Sequence, residues 1–98
     1  MSTAAPKVSV ILIFLNGEAF IAEAIDSILT QTFADWELIL VDDGTTDGAT
    51  AIARAYADGQ PERIRLIAHP GHANRGMSAS RNAGMAVARG DYIAFLDA

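Results

Sequence analysis

The feature that most constrains the fold of this chain is the alternation of short apolar runs with amphipathic helical segments. Since the runs are apolar throughout, and not on alternate residues only, we expect strands buried on both faces of a parallel sheet, joined by right-handed crossovers. The sequence therefore predicts an α/β fold, a three-layer, mostly parallel sheet with four strands and three helices. The predicted strands are residues 8–15, 36–41, 64–68 and 92–96, and the predicted helices are residues 18–30, 49–57 and 78–88.

Polar residues beside the helical segments predict where the helices begin. Asn16, Asp47 and Ser78 each stand at or near the start of one segment, where a side-chain oxygen can accept a hydrogen bond from a free backbone N–H. Gly84 lies inside the third helical segment. Because glycine costs about 1 kcal/mol relative to alanine in a helix interior, we expect this helix to pack tightly on the sheet there.

Composition and charge exclude several classes of protein. Twelve acidic residues against seven basic ones give a formal net charge of -5, which disfavours binding to nucleic acid. The absence of cysteine excludes disulfides, thiolate metal sites and cysteine nucleophiles. With 51% hydrophobic residues, the chain can bury a core. We expect residues 1–6 to be a disordered N-terminus and residues 7–98 to form one domain.

The apolar run at residues 8–15 is too short for a membrane helix, which needs about 20 residues. It has no basic segment before it and no small-residue cleavage site after it, so it does not read as a signal peptide. We therefore expect a cytoplasmic domain without a targeting segment.

Polar residues follow the predicted strands where each strand ends. Asn16 follows the first strand, Asp42 and Asp43 the second, residues 69–76 the third and Asp97 the fourth. In an open parallel sheet, ligands bind outside the carboxyl ends of the strands, so these residues should line one crevice. Adjacent carboxylates there can accept hydrogen bonds from a nucleoside or hold a divalent cation, although Asp-Asp-Gly is also an ordinary turn sequence.

The segment 74–84 has the composition of a helix start that faces phosphate. A glycine at Gly76 lets the backbone approach, and Arg75 or Arg81 can pair with phosphate oxygens. The alternative is an ordinary capped helix with solvated arginines. His69 and His72 form only a pair, without cysteine, so structural or solvated histidines are favoured over metal ligands.

Five ordered motifs run along the chain, at residues 8–18, 24–33, 37–48, 76–84 and 90–97. Taken together, they resemble the amino-terminal half of a family 2 glycosyltransferase with the GT-A fold. The resemblance covers nearly the whole chain from Lys7 onward. It implies a Rossmann-like half-domain that binds a nucleotide-diphosphate sugar, commonly a UDP-sugar.

The resemblance also implies roles for individual residues. Asp43 would contact the base, Asp42 would brace the loop or the ribose, and Asp97 would be the first acid of an Asp-x-Asp motif that holds Mn²⁺ or Mg²⁺. No catalytic residue would lie within this chain, and the acceptor, whether glycan, lipid or protein, stays open. The implied nucleotide-binding residues are Phe14, Leu15, Asn16, Glu18, Asp42, Asp43, Ser78 and Arg81.

This chain departs from the family pattern in two places. Ile13, Phe14 and Leu15 stand where the family often has a polar triplet. The chain also ends one residue after Asp97, before the second acid of the metal motif and before the acceptor-binding half. We therefore expect a truncated domain with an incomplete metal site, inactive by itself, whose full-length enzyme is cytoplasmic or peripheral to the inner face of the membrane.

Two alternative functions remain. A dinucleotide-binding domain has an acid after its second strand, but its first loop should read G-x-G-x-x-G, which residues 16–20 do not. The same loop lacks the Gly-Lys-Ser/Thr of a phosphate-binding P-loop. A non-catalytic fragment that self-associates or binds a partner is the second alternative, because the last predicted strand leaves an uncovered apolar edge.

Overall fold

The computed structural model describes residues 6–30 and 35–97, with only the backbone of Asp97; residues 1–5, 31–34 and 98 lie outside the described part. The predicted disorder of residues 1–6 therefore concerns, apart from Pro6, residues that are not described. Between the first predicted helix and the second predicted strand, residues 31–35 are expected to form a turn, and most of these residues also lie outside the described part.

The described residues form a single four-stranded sheet with the order β3-β2-β1-β4 and three helices. All three strand pairs are parallel. The predicted α/β fold with a parallel sheet is therefore confirmed, and each strand lies within one residue of its predicted bounds. The elements are β1 (Val8–Phe14), α1 (Ile21–Leu29), β2 (Trp36–Asp42), α2 (Ala49–Gly59), β3 (Ile64–Ala68), a 3₁₀ turn (Pro70–His72), α3 (Met77–Val87) and β4 (Tyr92–Asp97).

The sheet is covered by helices on both faces, which gives the predicted three layers. Alternate residues of β1 and β2, such as Leu12 and Leu40, pack with α1 and α2 in the larger core cluster. The intervening residues, such as Ile11 and Val41, form a smaller cluster that includes Val87 of α3. Because each central strand sends apolar side chains into both clusters, its sequence is apolar throughout.

Gly84 allows α3 to approach the sheet closely. A Cβ atom at Gly84 would lie 2.7 Å from Cγ2 of Ile11, nearer than Cβ atoms come in real structures. The close helix–sheet packing predicted from this glycine is confirmed.

Two of the predicted helix caps are wrong. Helix α1 begins at Ile21 after Phe20, and α3 begins at Met77 after Gly76, in both cases without a side-chain capping bond. Asn16 does not cap α1 because its side chain bonds to another loop, and Ser78 lies inside the first turn of α3. The prediction for Asp47 is closer, because its Oδ1 accepts the N–H of Ala49, the first residue of α2, at 2.9 Å.

At the amino ends of the strands, a buried polar network joins the sheet to the connection between α3 and β4. Glu37 accepts hydrogen bonds from the Ser9 hydroxyl (2.6 Å), the Arg89 amide (2.7 Å) and the Arg89 Nε (3.1 Å). The Gly90 amide donates to Ser9 Oγ at 2.8 Å. Among the described residues, every buried polar side-chain atom of this network has a hydrogen-bond partner, as is usual for buried polar groups.

Strand β4 forms one edge of the described sheet and leaves apolar side chains in solvent. Tyr92 is 62% exposed, and Ile93, Phe95 and Leu96 are 40–42% exposed. None of the helices in the described part of the chain is long and apolar enough to cross a membrane. A cytoplasmic location stays a prediction.

Candidate functional site

The strand order places a topological switch point at the carboxyl ends of β1 and β4. From β1 the chain winds outward to β2 and β3, and then crosses by α3 to β4 on the other side of β1. Ile13 of β1 pairs with Val41 on one side and with Asp97 on the other, so the carboxyl ends of the three strands are level. Such a point is where open α/β sheets bind ligands.

Asp42, the last residue of β2, is committed to bonds within its own loop. Its side chain is 1% exposed, Oδ1 accepts the Thr45 N–H at 2.9 Å, and Oδ2 accepts the Thr50 hydroxyl. Burial raises the pKa of Asp42, but the bonds from Thr50 and Thr45 outweigh it and bring the pKa below its usual value. Asp42 is therefore a carboxylate that shapes the β2–α2 connection.

Asp43 binds the backbone ahead of α3. Its Oδ1 accepts the N–H of Arg75 at 2.7 Å and of Gly76 at 3.1 Å, and its Oδ2 also lies 3.1 Å from the Gly76 nitrogen. Its own N–H donates to the Phe14 carbonyl at 2.9 Å. Asp43 thus ties together the ends of β1 and β2 through its backbone N–H and the start of α3 through its carboxylate. This role was not visible in the sequence, because the partners lie more than thirty residues away.

Asn16 joins the first loop to the β2–α2 connection. Its backbone is left-handed, with φ 64°, a region that asparagine tolerates better than most residues. The side-chain Oδ1 accepts the N–H groups of Thr46 at 2.7 Å and Asp47 at 3.2 Å. The Glu18 N–H in turn donates to Asp47 Oδ2 at 3.1 Å. Asn16 and Glu18 are therefore brought to the edge where the acid pair lies.

His69 and His72 lie beside the acid pair, as expected for the loop that follows β3, but their individual contacts were not predicted. The buried His69 Nε2 lies 2.9 Å from Ser80 Oγ and 3.5 Å from Asp43 Oδ1. His72 Nε2 lies 2.7 Å from the Thr45 carbonyl oxygen and 3.8 Å from Asp42 Oδ2. The only available signal was that both histidines follow β3 on the carboxyl edge.

The remaining predicted nucleotide-binding residues differ in how they reach the edge. The Phe14 side chain is fully buried in the core shared with α1 and α2, so only its backbone lies at the edge. Leu15 is 46% exposed. Ser78 and Arg81 lie exposed on the first turns of α3, and the Arg81 guanidinium is 5.9 Å from the Phe95 ring of β4. Arg81 is therefore oriented toward the β4 side of the crevice.

The described side chains at this edge do not form a metal site. They include no group of three or more histidine, cysteine, aspartate or glutamate residues that could hold a metal ion. Asp42 and Asp43 are engaged in hydrogen bonds, which leaves them poorly placed as ligands. The side chain of Asp97 is not among those described, so its role as a metal ligand stays a prediction.

This fold and edge define an α/β domain of the Rossmann-like, nucleotide-binding type, and the comparisons with known proteins narrow that class. The family model for glycosyl transferase family 2 matches residues 9–98. The chain belongs to this family, and the GT-A fold expected from its motifs is confirmed.

Relatives and solved structures agree with that assignment. The chain is 48% identical over 92 residues to the putative glycosyltransferase EpsE of Bacillus subtilis, covering 94% of this chain and 32% of that protein. The mannosyltransferase PcManGT from Pyrobaculum calidifontis, solved with GDP-Man and Mn²⁺, superposes with a TM-score of 0.84 at 28% identity, covering 97% of this chain and 28% of that one. S. aureus TarS 1-349 with UDP gives a TM-score of 0.81 at 29% identity, covering 93% and 27%. The chain thus spans about a third or less of the proteins it matches.

Proposed function

We propose that this chain is the donor-binding portion of an inverting glycosyltransferase that moves a sugar from a UDP-sugar to an acceptor hydroxyl. The carrying observation is that the loops after β1, β2 and β3, joined by the hydrogen bonds of Asn16 and Asp43, meet at the carboxyl edge of the sheet beside the switch point. Two structural neighbours, solved with GDP-Man and with UDP, support a nucleotide-sugar ligand for this chain.

In this proposal the nucleoside lies across the loops at the ends of β1 and β2. Leu15, Asn16 and Glu18 approach it from the first loop. Asp43 Oδ2 accepts from Gly76 alone among the described residues, so it retains acceptor capacity for a base N–H. Asp42 acts through the loop, since its side chain is 1% exposed and both its oxygens bond to the β2–α2 connection.

The diphosphate would lie toward α3 and β4. Arg81 and Ser78 are exposed at the start of α3, where a guanidinium and a hydroxyl suit phosphate oxygens. Asp97 would hold Mn²⁺ or Mg²⁺ together with the diphosphate; this cation would offset charge on the departing nucleoside diphosphate. The carboxylate that deprotonates the acceptor is proposed to lie outside these 98 residues, which would then bind donor without transferring sugar.

Isothermal titration calorimetry with UDP in the presence of Mn²⁺ tests the proposal. Replacing Asp43 by alanine removes a charged acceptor and should weaken UDP binding about 10–100-fold. The matched control is Asp58→Ala, which removes an exposed carboxylate at the far end of α2 and should leave the affinity unchanged.

Two results would contradict the proposal. One is the absence of UDP and GDP binding by the unmodified chain at millimolar nucleotide. The other is an Asp43→Ala chain that binds UDP as tightly as the unmodified one. Chelation of Mn²⁺ with EDTA should weaken UDP binding, and equal affinity in EDTA would exclude the proposed cation role of Asp97.

A second candidate function is a non-catalytic module that self-associates. The apolar side chains exposed along β4 favour it. Nucleotide binding separates the two candidates, because self-association through β4 does not require the loops at the carboxyl edge.

A further inference from the structure

His72 has an unusual backbone for the place it occupies. It and Asn16 are the two non-glycine residues with positive φ in the described part of the chain, at 58° and 64°. The two residues lie on different loops, and each directs its side chain to the segment 45–47 from its own side. Histidine, like asparagine, adopts a left-handed backbone more readily than most residues, but the conformation still has a cost, which the contacts of His72 offset.

The side chain of His72 makes one short hydrogen bond. A carbonyl oxygen only accepts, so the 2.7 Å contact with Thr45 requires the proton on Nε2 of His72. The same nitrogen lies 3.8 Å from Asp42 Oδ2. The imidazole is 44% exposed and therefore contributes little to the core, unlike the buried His69.

Thr45 is hydrogen-bonded to residues of its own loop and of the other two loops at the edge. Its N–H donates to Asp42 Oδ1, its Oγ1 accepts the Asn16 N–H at 3.0 Å, and its carbonyl accepts from His72. The two loops are also joined by a side chain of the β2 end, since the Asp43 carboxylate accepts the N–H groups of residues 75 and 76. His72 is the side chain through which loop 69–76 fixes the β2–α2 connection.

We propose that His72 is a positioning residue for the donor nucleotide. Its Nε2–H bond to Thr45 holds the β2–α2 connection against loop 69–76 and so sets where the Asp42–Asp43 pair stands. The inference rests on the proposed function of this edge. Since His72 acts through the loop and not on the base, its loss should weaken binding of UDP and GDP by the same factor.

Two substitutions at this position separate the hydrogen bond from the backbone strain. His72→Gly relieves the strain but removes the donor, and should weaken both nucleotides about 3–10-fold, the effect of one hydrogen bond. His72→Gln keeps an N–H at a similar distance from the backbone and should restore most of the affinity, although glutamine suits a left-handed backbone less well than glycine. If His72 mattered only through backbone strain, the His72→Gly chain should bind the nucleotides more tightly than the His72→Gln chain.

Calorimetry with UDP and GDP in Mn²⁺ measures these effects, with Gln60→Gly, at the far end of α2, as the matched control. His72→Gly with unchanged affinity, His72→Gln no better than glycine, or a loss for one nucleotide only would each overturn the positioning role. An unmodified chain that binds neither nucleotide would refute the proposed function itself. Nitrogen-15 NMR of the ring gives a readout free of mutation: the neutral His72 should carry its proton on Nε2, and a proton on Nδ1 would overturn the inference.

Discussion

Single residues determine how closely the layers of this domain approach each other. Gly84 lies over the central strand, so the spacing between α3 and the sheet is fixed by the absence of one methyl group. Asp43 has a comparable effect at the start of the same helix, where its carboxylate holds the amides of Arg75 and Gly76 in place of a local cap. The position of α3 therefore depends on two residues, one inside the helix and one outside it.

Replacing Gly84 by alanine should destabilise the domain. The new Cβ would lie 2.7 Å from Ile11 Cγ2, and overpacking of this kind costs about 1–3 kcal/mol of unfolding free energy. Urea denaturation measures the change. The control is Gly59→Ala at the end of α2, where a Cβ meets nothing within 4 Å and the effect should be neutral or stabilising by about 0.4–1 kcal/mol. Equal effects of the two substitutions would contradict the packing argument.

At the scale of elements, the strands and the starts of α2 and α3 were predictable from sequence to within one residue, whereas the caps of α1 and α3 were not. A buried parallel strand is apolar on both faces, so the bounds of β1 and β2 can be read from local composition to within one residue. A helix cap depends on which partner a polar side chain bonds to. Asn16 and Asp43 bond to loops about thirty residues away, and no local rule shows that choice. The polar residues of the candidate site were predictable because they directly follow the strands. The role of His72 was not predictable, because it depends on a contact with Thr45, 27 residues away.

The network at the amino ends of the strands fastens the α3–β4 connection to the sheet. Burial raises the pKa of Glu37, but hydrogen bonds from Ser9 and Arg89 outweigh it and lower the pKa below its usual value of 4.5. A carboxyl group with a lower pKa in the folded state contributes stability that is present above the unfolded pKa. That stability is lost as the pH falls through the folded pKa.

Glu37→Gln should therefore destabilise the domain in a pH-dependent way. At about pH 7 the loss of the carboxylate in this buried network should cost about 1–3 kcal/mol of unfolding free energy, and the difference should shrink toward about pH 3. Urea denaturation at both pH values measures it, with the exposed Glu62→Gln as the control. A difference that stays constant with pH would show that the charge of Glu37 is not what matters.

At the scale of the whole molecule, β4 is the described strand with apolar side chains exposed on both faces. Its pairing partner is β1, and its other edge has no strand among the described residues. Unpaired strand edges present backbone N–H and C=O groups to which another chain can add. The 98-residue chain should therefore self-associate as its concentration rises.

Light scattering after size exclusion, over a range of protein concentrations, tests this expectation. Ile93→Lys places a charge on the exposed edge strand and should shift the chain toward monomer. Met85→Lys adds the same charge on α3 at a side chain that is equally exposed, 41% in both cases, and should leave association unchanged. A monomer at high micromolar concentration, or an equal effect of both lysines, would contradict association through β4.

The central position of β1 has a consequence for synthesis on the ribosome. β1 is the first strand to be made, yet the residue that pairs with Val8 on one side is Tyr92, near the other end of the chain. Bringing together residues so far apart in sequence is slow. Until β4 pairs with β1, one hydrogen-bonding edge of β1 is unpaired. Until residue 92 has been synthesised, this edge of β1 can therefore pair with non-native segments, and such exposed strand edges are where aggregation begins.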